Sequence, residues 1–173
     1  MKMINNGKIY IGLIILLIFS VFTISCSRNK EKILVEKTIS FPGNDWNYEQ
    51  RVLFFDAIIT DTTSPCRVEL EIEYDTLNEL DKLPVTLSIN HSGGAKSAIK
   101  SGFVFKKTEN SMKGTSSDLF QKKVVVFFKE KYFNHSGHYT FEVYRYSPKY
   151  NNYGFKSLTL RVIKLPESAK QER

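Results

Sequence analysis

Few residues of this chain have the spacing that metal binding or acid–base chemistry requires. His135 and His138 stand three apart in a turn-like segment that contains no Cys or acidic residue, whereas a metal site needs three or four ligands. Glu69, Glu71 and Glu73 alternate with apolar residues, which is typical of a strand with one face in water. Nucleophile-elbow, phosphate-loop and HExxH motifs are absent from the chain. The sequence therefore predicts a non-enzymatic protein with no metal and no cofactor.

Aromatic and basic side chains are interleaved between residues 144 and 156. Tyr and Arg supply a large contact area at low entropic cost, so such a stretch can contact a protein partner or stack on a sugar. The candidate contact residues are Tyr144, Arg145, Tyr146, Tyr150 and Tyr153. The alternative is a hairpin whose aromatic rings pack back onto the rim of a sheet. Trp46, the only tryptophan, is predicted to plug one end of the core.

The N-terminus has the organisation of a secretory signal. Lys2 and Lys8 precede an almost purely apolar run over residues 9–22, and small or polar residues follow it. A positive flank, a short apolar run and a small residue at the cut site are the marks of a cleaved signal peptide. An uncleaved anchor helix is the alternative. Either way, the remaining chain is held on one side of a membrane.

Cys26 follows Ser25 directly, in a position that resembles the lipobox of bacterial lipoproteins. The resemblance implies a diacylglyceryl group on the Cys26 thiol and a further acyl chain on the new N-terminus. Two or more acyl chains anchor a protein stably, whereas one chain binds only marginally. Residues 1–25 are then a signal peptide, and residues 26–31 are a lipidated tether. Ser27 and the lack of an acidic cluster after Cys26 favour the outer membrane and its periplasmic side.

The remaining chain is predicted to be all-β. Residues 33–40, 51–59, 67–74, 85–90, 97–105, 124–128, 139–143 and 158–162 read as strands, and no amphipathic helix is visible. Seven or eight short strands over residues 32–165 predict an antiparallel immunoglobulin-like β-sandwich, although a barrel shares this pattern. Residues 77–81 are a turn, residues 106–118 a long loop, and residues 166–173 a charged tail. A net charge of +7 without a basic block gives no indication of nucleic-acid binding.

Three positions carry specific structural expectations. Cys66 has no partner once Cys26 is acylated, so it is predicted to be a small buried hydrophobe. Residues 124–128 form a continuous apolar run, which predicts a strand covered on both faces. Tyr139 is a candidate tyrosine corner, whose hydroxyl would bond to nearby backbone.

Several short motifs, taken in order, resemble the GldH-type gliding-motility lipoproteins of Bacteroidetes. They are the lipobox, residues 42–46 (PGNDW), residues 59–65 (ITDTTSP), Lys113-Gly114, residues 133–141 (FNHSGHYTF), Gly154 and the last strand over residues 158–164. The resemblance implies a non-enzymatic component of the envelope machinery for gliding motility and type IX secretion. Its implied partners are envelope proteins. The alternative function is that of a glycan-binding accessory lipoprotein.

Two tripeptides, Asp61-Thr62-Thr63 and Asp75-Thr76-Leu77, resemble the O-glycosylation motif of the same phylum. Thr62 and Thr76 are therefore candidate glycosylation sites. Both lie in predicted loops or strand ends, where a glycosyltransferase could reach them.

Overall fold

The computed structural model describes residues 31–75, 78–105 and 120–166, which form strands, loops and one short 3-10 helix. The strands are β1 (Lys32–Ser40), β2 (Val52–Ile59), β3 (Cys66–Asp75), β4 (Lys82–His91), β5 (Lys96–Val104), β6 (Phe120–Lys131), β7 (Gly137–Arg145) and β8 (Phe155–Lys164). The 3-10 turn is Pro42–Asn44. No helix among these residues has the length and apolar character needed to cross a membrane.

The strands form two four-stranded antiparallel sheets, so the predicted β-sandwich is confirmed and the barrel is excluded. The sheet orders are β1-β8-β3-β6 and β2-β7-β4-β5. The pairs β1–β8, β2–β7, β3–β6 and β4–β5 are nested like one long hairpin folded over on itself. These strand orders are those of an eight-stranded jelly roll. They differ from the orders A-B-E-D and C-F-G of an immunoglobulin constant domain, so the sandwich is not of the predicted immunoglobulin-like type.

The core lies between the two sheets and follows the period-2 patterns of the sequence. Successive side chains on a strand point to opposite faces, so the apolar half of each alternating strand is buried. The inward residues of four strands are Leu53, Phe55, Ala57 and Ile59 in β2, Val68, Leu70 and Ile72 in β3, Val85, Leu87 and Ile89 in β4, and Leu158, Leu160 and Val162 in β8.

The glutamate face of β3 is not the open, solvated surface that the alternation predicts. Glu69 is only 8% exposed. Arg161, on the neighbouring strand, lies 2.9 Å from Glu71 and 3.9 Å from Glu69, and Lys122 approaches Glu71 from the other side. Because β3 lies between β8 and β6 in its sheet, long basic side chains from both neighbouring strands cover its carboxylates. The arginine holds the pKa of Glu71 below its usual range through hydrogen bonding and charge.

The prediction that residues 124–128 are covered on both faces is wrong. β6 is the outermost strand of its sheet, and Val124 and Val126 are 43% and 40% exposed. Phe127 is buried because it follows Val125 on the inward face of the strand, and the pairing with β3 shifts between Val126 and Phe128. The continuous apolar run over residues 124–128 therefore belongs to an irregular strand at the edge of its sheet.

Two of the structural expectations are confirmed. Cys66 is fully buried, and burial raises the pKa of its thiol to about 11. The Tyr139 hydroxyl donates a hydrogen bond to the His135 carbonyl at 2.7 Å, as a tyrosine corner does. Both residues lie at the same end of the sandwich. This proximal end is where the chain enters β1 at Lys32, and it also holds the loops over residues 60–65, 92–95 and 132–136.

The opposite end is called the distal end. It holds the segment between β1 and β2, the segment after β3, and the crossing from β7 to β8 over residues 146–154. β1 has nine residues, and a strand rises about 3.3 Å per residue. The two ends are therefore roughly 30 Å apart. The predicted signal peptide, Cys26 and the predicted loop over residues 106–118 lie outside the described residues, as does nearly all of the predicted charged tail.

Candidate functional site

Two loops meet at the distal end and are joined through Asn152, which is 2% exposed. Its backbone N–H donates to the Asp45 carboxylate at 2.8 Å, and its side-chain amide donates to the Trp46 carbonyl at 3.2 Å. The Ser147 hydroxyl donates to the remaining side-chain oxygen of Asn152 at 2.7 Å. The side chain of one asparagine therefore holds residues 45–46 and 147–152 together.

Trp46 forms the buried base of this end, as the sequence predicts. It is fully buried, it stacks on Phe41 with ring centroids 5.0 Å apart, and it meets Phe155 edge-on. Its indole N–H donates to the Gln50 carbonyl at 2.8 Å. The loops above it consequently stand on a fixed aromatic platform.

Four tyrosine rings lie at the surface of the distal end. They form the distal tyrosine surface, whose members are Tyr48, Tyr146, Tyr150 and Tyr153 with exposures of 45%, 47%, 58% and 65%. Exposed apolar patches can mark interaction sites. Three of the four belong to the predicted contact stretch, and the fourth, Tyr48, comes from the segment before β2.

Local contacts hold two of these rings in place. Tyr48 and Tyr150 stack with centroids 5.7 Å apart, and the Arg51 guanidinium lies 4.6 Å from the Tyr48 ring centre. The Tyr150 hydroxyl donates to the Glu49 carboxylate at 3.3 Å. The charge of Glu49 raises the pKa of Tyr150. The rings of Tyr48 and Tyr150 are therefore held by contacts with neighbouring surface side chains rather than by core residues.

Arg145 departs from the predicted set of surface contacts, because it is only 3% exposed. Inward-facing residues of β7 alternate from Tyr139 onward, so residue 145 points between the sheets. Its guanidinium lies 5.9 Å from the Trp46 ring centre and donates a long 3.5 Å bond to the Lys149 carbonyl. The Nε and Nη2 groups have no hydrogen-bond partner. Burial lowers the pKa of Arg145.

Tyr144 is half-buried and tilts against Tyr146 at 4.6 Å between centroids. The hairpin interpretation of this region is wrong, because β7 and β8 belong to different sheets. The stretch over residues 146–154 crosses from one sheet to the other at the end of the sandwich. Its rings therefore project from the end of the molecule rather than along the rim of one sheet.

A cleft of about 580 Å³ lies beside the distal tyrosine surface. Most of its lining residues have polar side chains: Gly43, Asn44, Asp75, Asn78, Glu79, Leu80, Lys149, Asn151, Asn152, Tyr153 and Gly154. Asn78 is 8% exposed, and its Nδ2 donor has no hydrogen-bond partner, while its Oδ1 accepts from the Leu80 N–H at 3.0 Å. The volume lies in the range of small-molecule sites.

Gly154 shapes one wall of this cleft. Its φ of +87° is in the left-handed region, and a Cβ there would lie 3.2 Å from Cα and Cβ of Asn78. The Asp75 N–H donates to the Gly154 carbonyl at 2.6 Å. Only glycine combines this φ with such a close approach without strain.

Thr62, Thr76 and Cys26 are the remaining predicted site residues, and His135 and His138 are the histidine pair of the sequence analysis. Thr62 lies, half-buried, in the loop between β2 and β3, whereas Thr76 and Cys26 lie outside the described residues. His135 stacks on His91, and His138 lies 3.8 Å from Asp56. Within residues 31–75, 78–105 and 120–166, no group of three His, Cys, Asp or Glu side chains could hold a metal ion.

Sequence reasoning predicted Tyr153 but missed the other cleft residues, and the lining comes from three separate segments. The available signals were the Asn151-Asn152 pair and the Gly43-Asn44 turn, both of which indicate loops. Neither signal shows that the two loops meet near Asn78. Only the strand order brings these segments to one end of the molecule.

The fold is a jelly-roll β-sandwich, and its distal end has a candidate binding surface. No family model matches the chain, and no curated protein matches it. Solved structures to which it is similar include latent dimeric PorU from Porphyromonas gingivalis, at 10% identity and a TM-score of 0.41 over 80% of this chain.

Two further solved structures are similar to it. One is a Bacillus thuringiensis Cry1Da tryptic core variant, at 15% identity and a TM-score of 0.35 over 82% of this chain. The other is TmCBM61 in complex with β-1,4-galactotriose, at 8% identity and a TM-score of 0.32, covering 80% of this chain and 88% of that one. This chain spans 13% of PorU and 24% of Cry1Da. None of these likenesses carries information about what this chain binds.

Proposed function

We propose that this protein is a lipid-anchored, non-enzymatic interaction component of the cell envelope, acting in the machinery for gliding motility and type IX secretion. Acyl chains on Cys26 would hold it at the periplasmic side of the outer membrane. The proposal is supported by the lipobox at the N-terminus and by the motifs that resemble the gliding-motility lipoproteins.

The observation that carries the proposal is the position of the distal tyrosine surface. The rings of Tyr146, Tyr150 and Tyr153 are exposed at the end of the sandwich remote from Lys32, where the tether joins the domain. Rings at this end would be accessible to envelope partners.

The test is complementation of a strain that lacks the gene. Wild-type protein should restore colony spreading and secretion, whereas Cys26→Ala protein should leave the membrane fraction and fail to restore either. A Tyr146→Ala/Tyr150→Ala protein should stay at the membrane and still fail. The matched control is Tyr132→Ala, which removes a 37% exposed tyrosine at the proximal end and should restore both functions. Normal spreading without the gene would contradict the proposal.

The second candidate function is a glycan-binding accessory lipoprotein. The exposed tyrosine faces favour it, because sugars stack on aromatic rings, and so does the polar cleft beside Tyr153. A glycan array probed with the lipoprotein in detergent tests this candidate. An array without a reproducible hit would exclude it.

A further inference from the structure

We propose that the open edge of β2 binds an extended segment of a partner protein by strand addition, and that this segment has a basic residue between two apolar residues on one face. The proposal adds a second contact surface to the interaction component proposed above, and it is independent of the distal tyrosine surface. It rests on the backbone of β2, on its outer side chains and on a contrast with the other edge strands.

The first step of the argument is the direction of the backbone groups of β2. This strand is the outermost of its sheet, so β7 is its only hydrogen-bonded neighbour among the described strands. The Arg145 N–H donates to the Arg51 carbonyl at 2.9 Å, and the register of β2 with β7 continues from there without a shift. Hydrogen-bonded pairs alternate along an antiparallel ladder. The residues that present their N–H and C=O groups to the open edge are therefore 52, 54, 56 and 58.

The second step is the contrast with the other three edge strands. Natural sheets protect an open edge against strand addition with lysines, prolines or bulges. The pairing of β1 and of β6 is interrupted by register shifts, and β5 has Lys96 and Lys100 exposed along its length. β2 has an uninterrupted ladder, and its sequence VLFFDAII contains neither proline nor lysine. It is therefore the edge strand that is best able to accept another strand.

The third step is the pair of apolar side chains on this edge. Phe54 and Ile58 are 58% and 71% exposed, and they lie on the same outer face because side chains alternate along a strand. In strand addition, backbone hydrogen bonds supply affinity and alternate side chains supply specificity. Apolar side chains of an added strand would cover both residues. A groove of about 460 Å³ along the edge has room for an extended chain. It is lined by residues 34–37 of β1 and by Asp56, Ala57, Ile58 and His138.

The fourth step is the charge at the centre of the edge. Asp56 stands between Phe54 and Ile58, and its side chain is 61% exposed. Its neighbours on the outer face are the Thr140 hydroxyl, which donates to it at 2.7 Å, and His138 at 3.8 Å. Opposite charges directly across two strands stabilise their pairing, and like charges destabilise it. The residue of the added strand that faces Asp56 is therefore basic.

Two other sources of a contact for Asp56 are disfavoured. Lys37 also lines the groove, but it follows the buried Val35 by two positions and therefore points to the inner side of the edge. A second copy of the chain could pair its own β2 with this edge. In the register that places Phe54 of each copy against Ile58 of the other, the two Asp56 carboxylates would lie directly opposite each other. The charge thus favours a different chain.

The experiment uses the full mature lipoprotein in detergent micelles at neutral pH. The probe is a fluorescein-labelled nonapeptide of threonines with isoleucine at its third and seventh positions and lysine at its fifth. The comparator peptide has glutamate in place of lysine, and fluorescence anisotropy measures both affinities. We expect the lysine peptide to bind about fivefold more tightly. Asp56→Lys should reverse this preference, which a merely structural role of Asp56 would not do.

A second pair of variants tests the backbone of the edge. Ile58→Pro removes one outward N–H and leaves the ladder to β7 intact, as proline on an edge strand can, so it should weaken binding about tenfold. Ile58→Val keeps the N–H and an apolar side chain, so it should weaken binding no more than about twofold. Thermal unfolding curves establish that both variants are folded. If the proline variant does not fold, the reversal by Asp56→Lys decides the test.

The remaining outcomes separate this edge from other surfaces and other occupants. A Tyr146→Ala/Tyr150→Ala protein should still bind the lysine peptide, whatever its result in the complementation test. The proposal is overturned by an absence of binding, by equal affinities for the two peptides, or by unchanged binding to a folded Ile58→Pro protein. It is also overturned if sedimentation velocity shows a dimer of the protein alone that Ile58→Pro dissociates, because the occupant would then be a second copy.

Discussion

The two ends of the sandwich close the same core in opposite ways. At the proximal end, polar side chains bond to the protein's own loops: Asp61 meets Lys164 at 2.7 Å and accepts from two backbone N–H groups, and Tyr139 bonds to the His135 carbonyl. At the distal end, four tyrosine rings are exposed, and buried polar atoms of Asn78 and Arg145 have no hydrogen-bond partner, whereas His91 Nε2 is such an atom at the proximal end.

This difference separates structural from functional use of loop residues. A buried polar group without a partner costs stability, so its presence needs a reason other than folding. The proximal loops have polar contacts that hold the connections in place, and the distal loops have exposed rings that a partner can contact. Perturbing each end should therefore change different properties of the protein.

The largest effect on stability is expected from Trp46→Ala. The indole is fully buried and contacts Phe41 and Phe155, and truncation of a core Trp costs about 3–5 kcal/mol. Urea denaturation followed by circular dichroism measures the loss, and Trp46→Phe is the matched control with a smaller loss. A loss below about 1 kcal/mol would show that Trp46 is not the base of the distal end.

Arg145→Met should change the stability in the opposite direction. The guanidinium is buried, and two of its donor groups have no hydrogen-bond partner among the described residues. Leaving a buried donor without a partner costs about 1–3 kcal/mol, so an apolar side chain of similar size should stabilise the protein. The same urea assay should show a higher midpoint for the variant. A lower midpoint would mean that the bond to Lys149 and the contact with Trp46 outweigh the desolvation cost.

The sequence predicted the parts of the fold that depend on local alternation. Strands β2, β3 and β4 have apolar residues at every second position, so their inward faces followed from periodicity alone. The tyrosine corner and the Trp46 plug followed from one residue each. These features need no knowledge of which strands are neighbours.

Features that depend on pairing between strands far apart in the chain could not be predicted from the sequence. Arg67, on the same strand, lies 3.0 Å from Glu69, but the cover that Arg161 adds over Glu69 and Glu71 comes from 92 and 90 positions away in the chain and exists only because β8 pairs with β3. The exposure of Val124 follows from the edge position of β6. The inward direction of Arg145 is an exception, because the alternation from Tyr139 through Val143 already indicated it. Because residue 145 is an arginine, the sequence analysis predicted it to be a surface contact instead.

A smaller effect, dependent on pH, is expected from Asp61→Asn at the proximal end. The Lys164 ammonium and the backbone N–H groups of Thr63 and Ser64 hold the pKa of Asp61 well below its usual range. A carboxylate with a lowered folded pKa stabilises above its unfolded pKa of about 3.9. That stability is lost as the pH falls through the folded value. The variant should be about 1 kcal/mol less stable than wild type at pH 7.

The control for this prediction is the pH dependence itself. Between pH 7 and pH 2 the difference between wild type and Asp61→Asn should shrink, because below about pH 3.9 the Asp61 carboxyl is protonated in the unfolded wild type and folding must displace that proton. Urea midpoints at several pH values measure it. A difference that stays constant down to pH 2 would show that the substitution acts through something other than the charge of residue 61.

The smallest effect on stability is expected at the distal tyrosine surface. Tyr150 is 58% exposed and contacts only Tyr48 and Glu49, so Tyr150→Ala should change the free energy of unfolding by less than about 0.5 kcal/mol. Tyr139→Phe at the proximal end removes one buried hydroxyl and should cost about 1–1.5 kcal/mol. A single oxygen atom at one end would then matter more to folding than a whole ring at the other. Equal losses would break the comparison, because the distal rings would then stabilise the fold and their exposure would need no ligand to explain it.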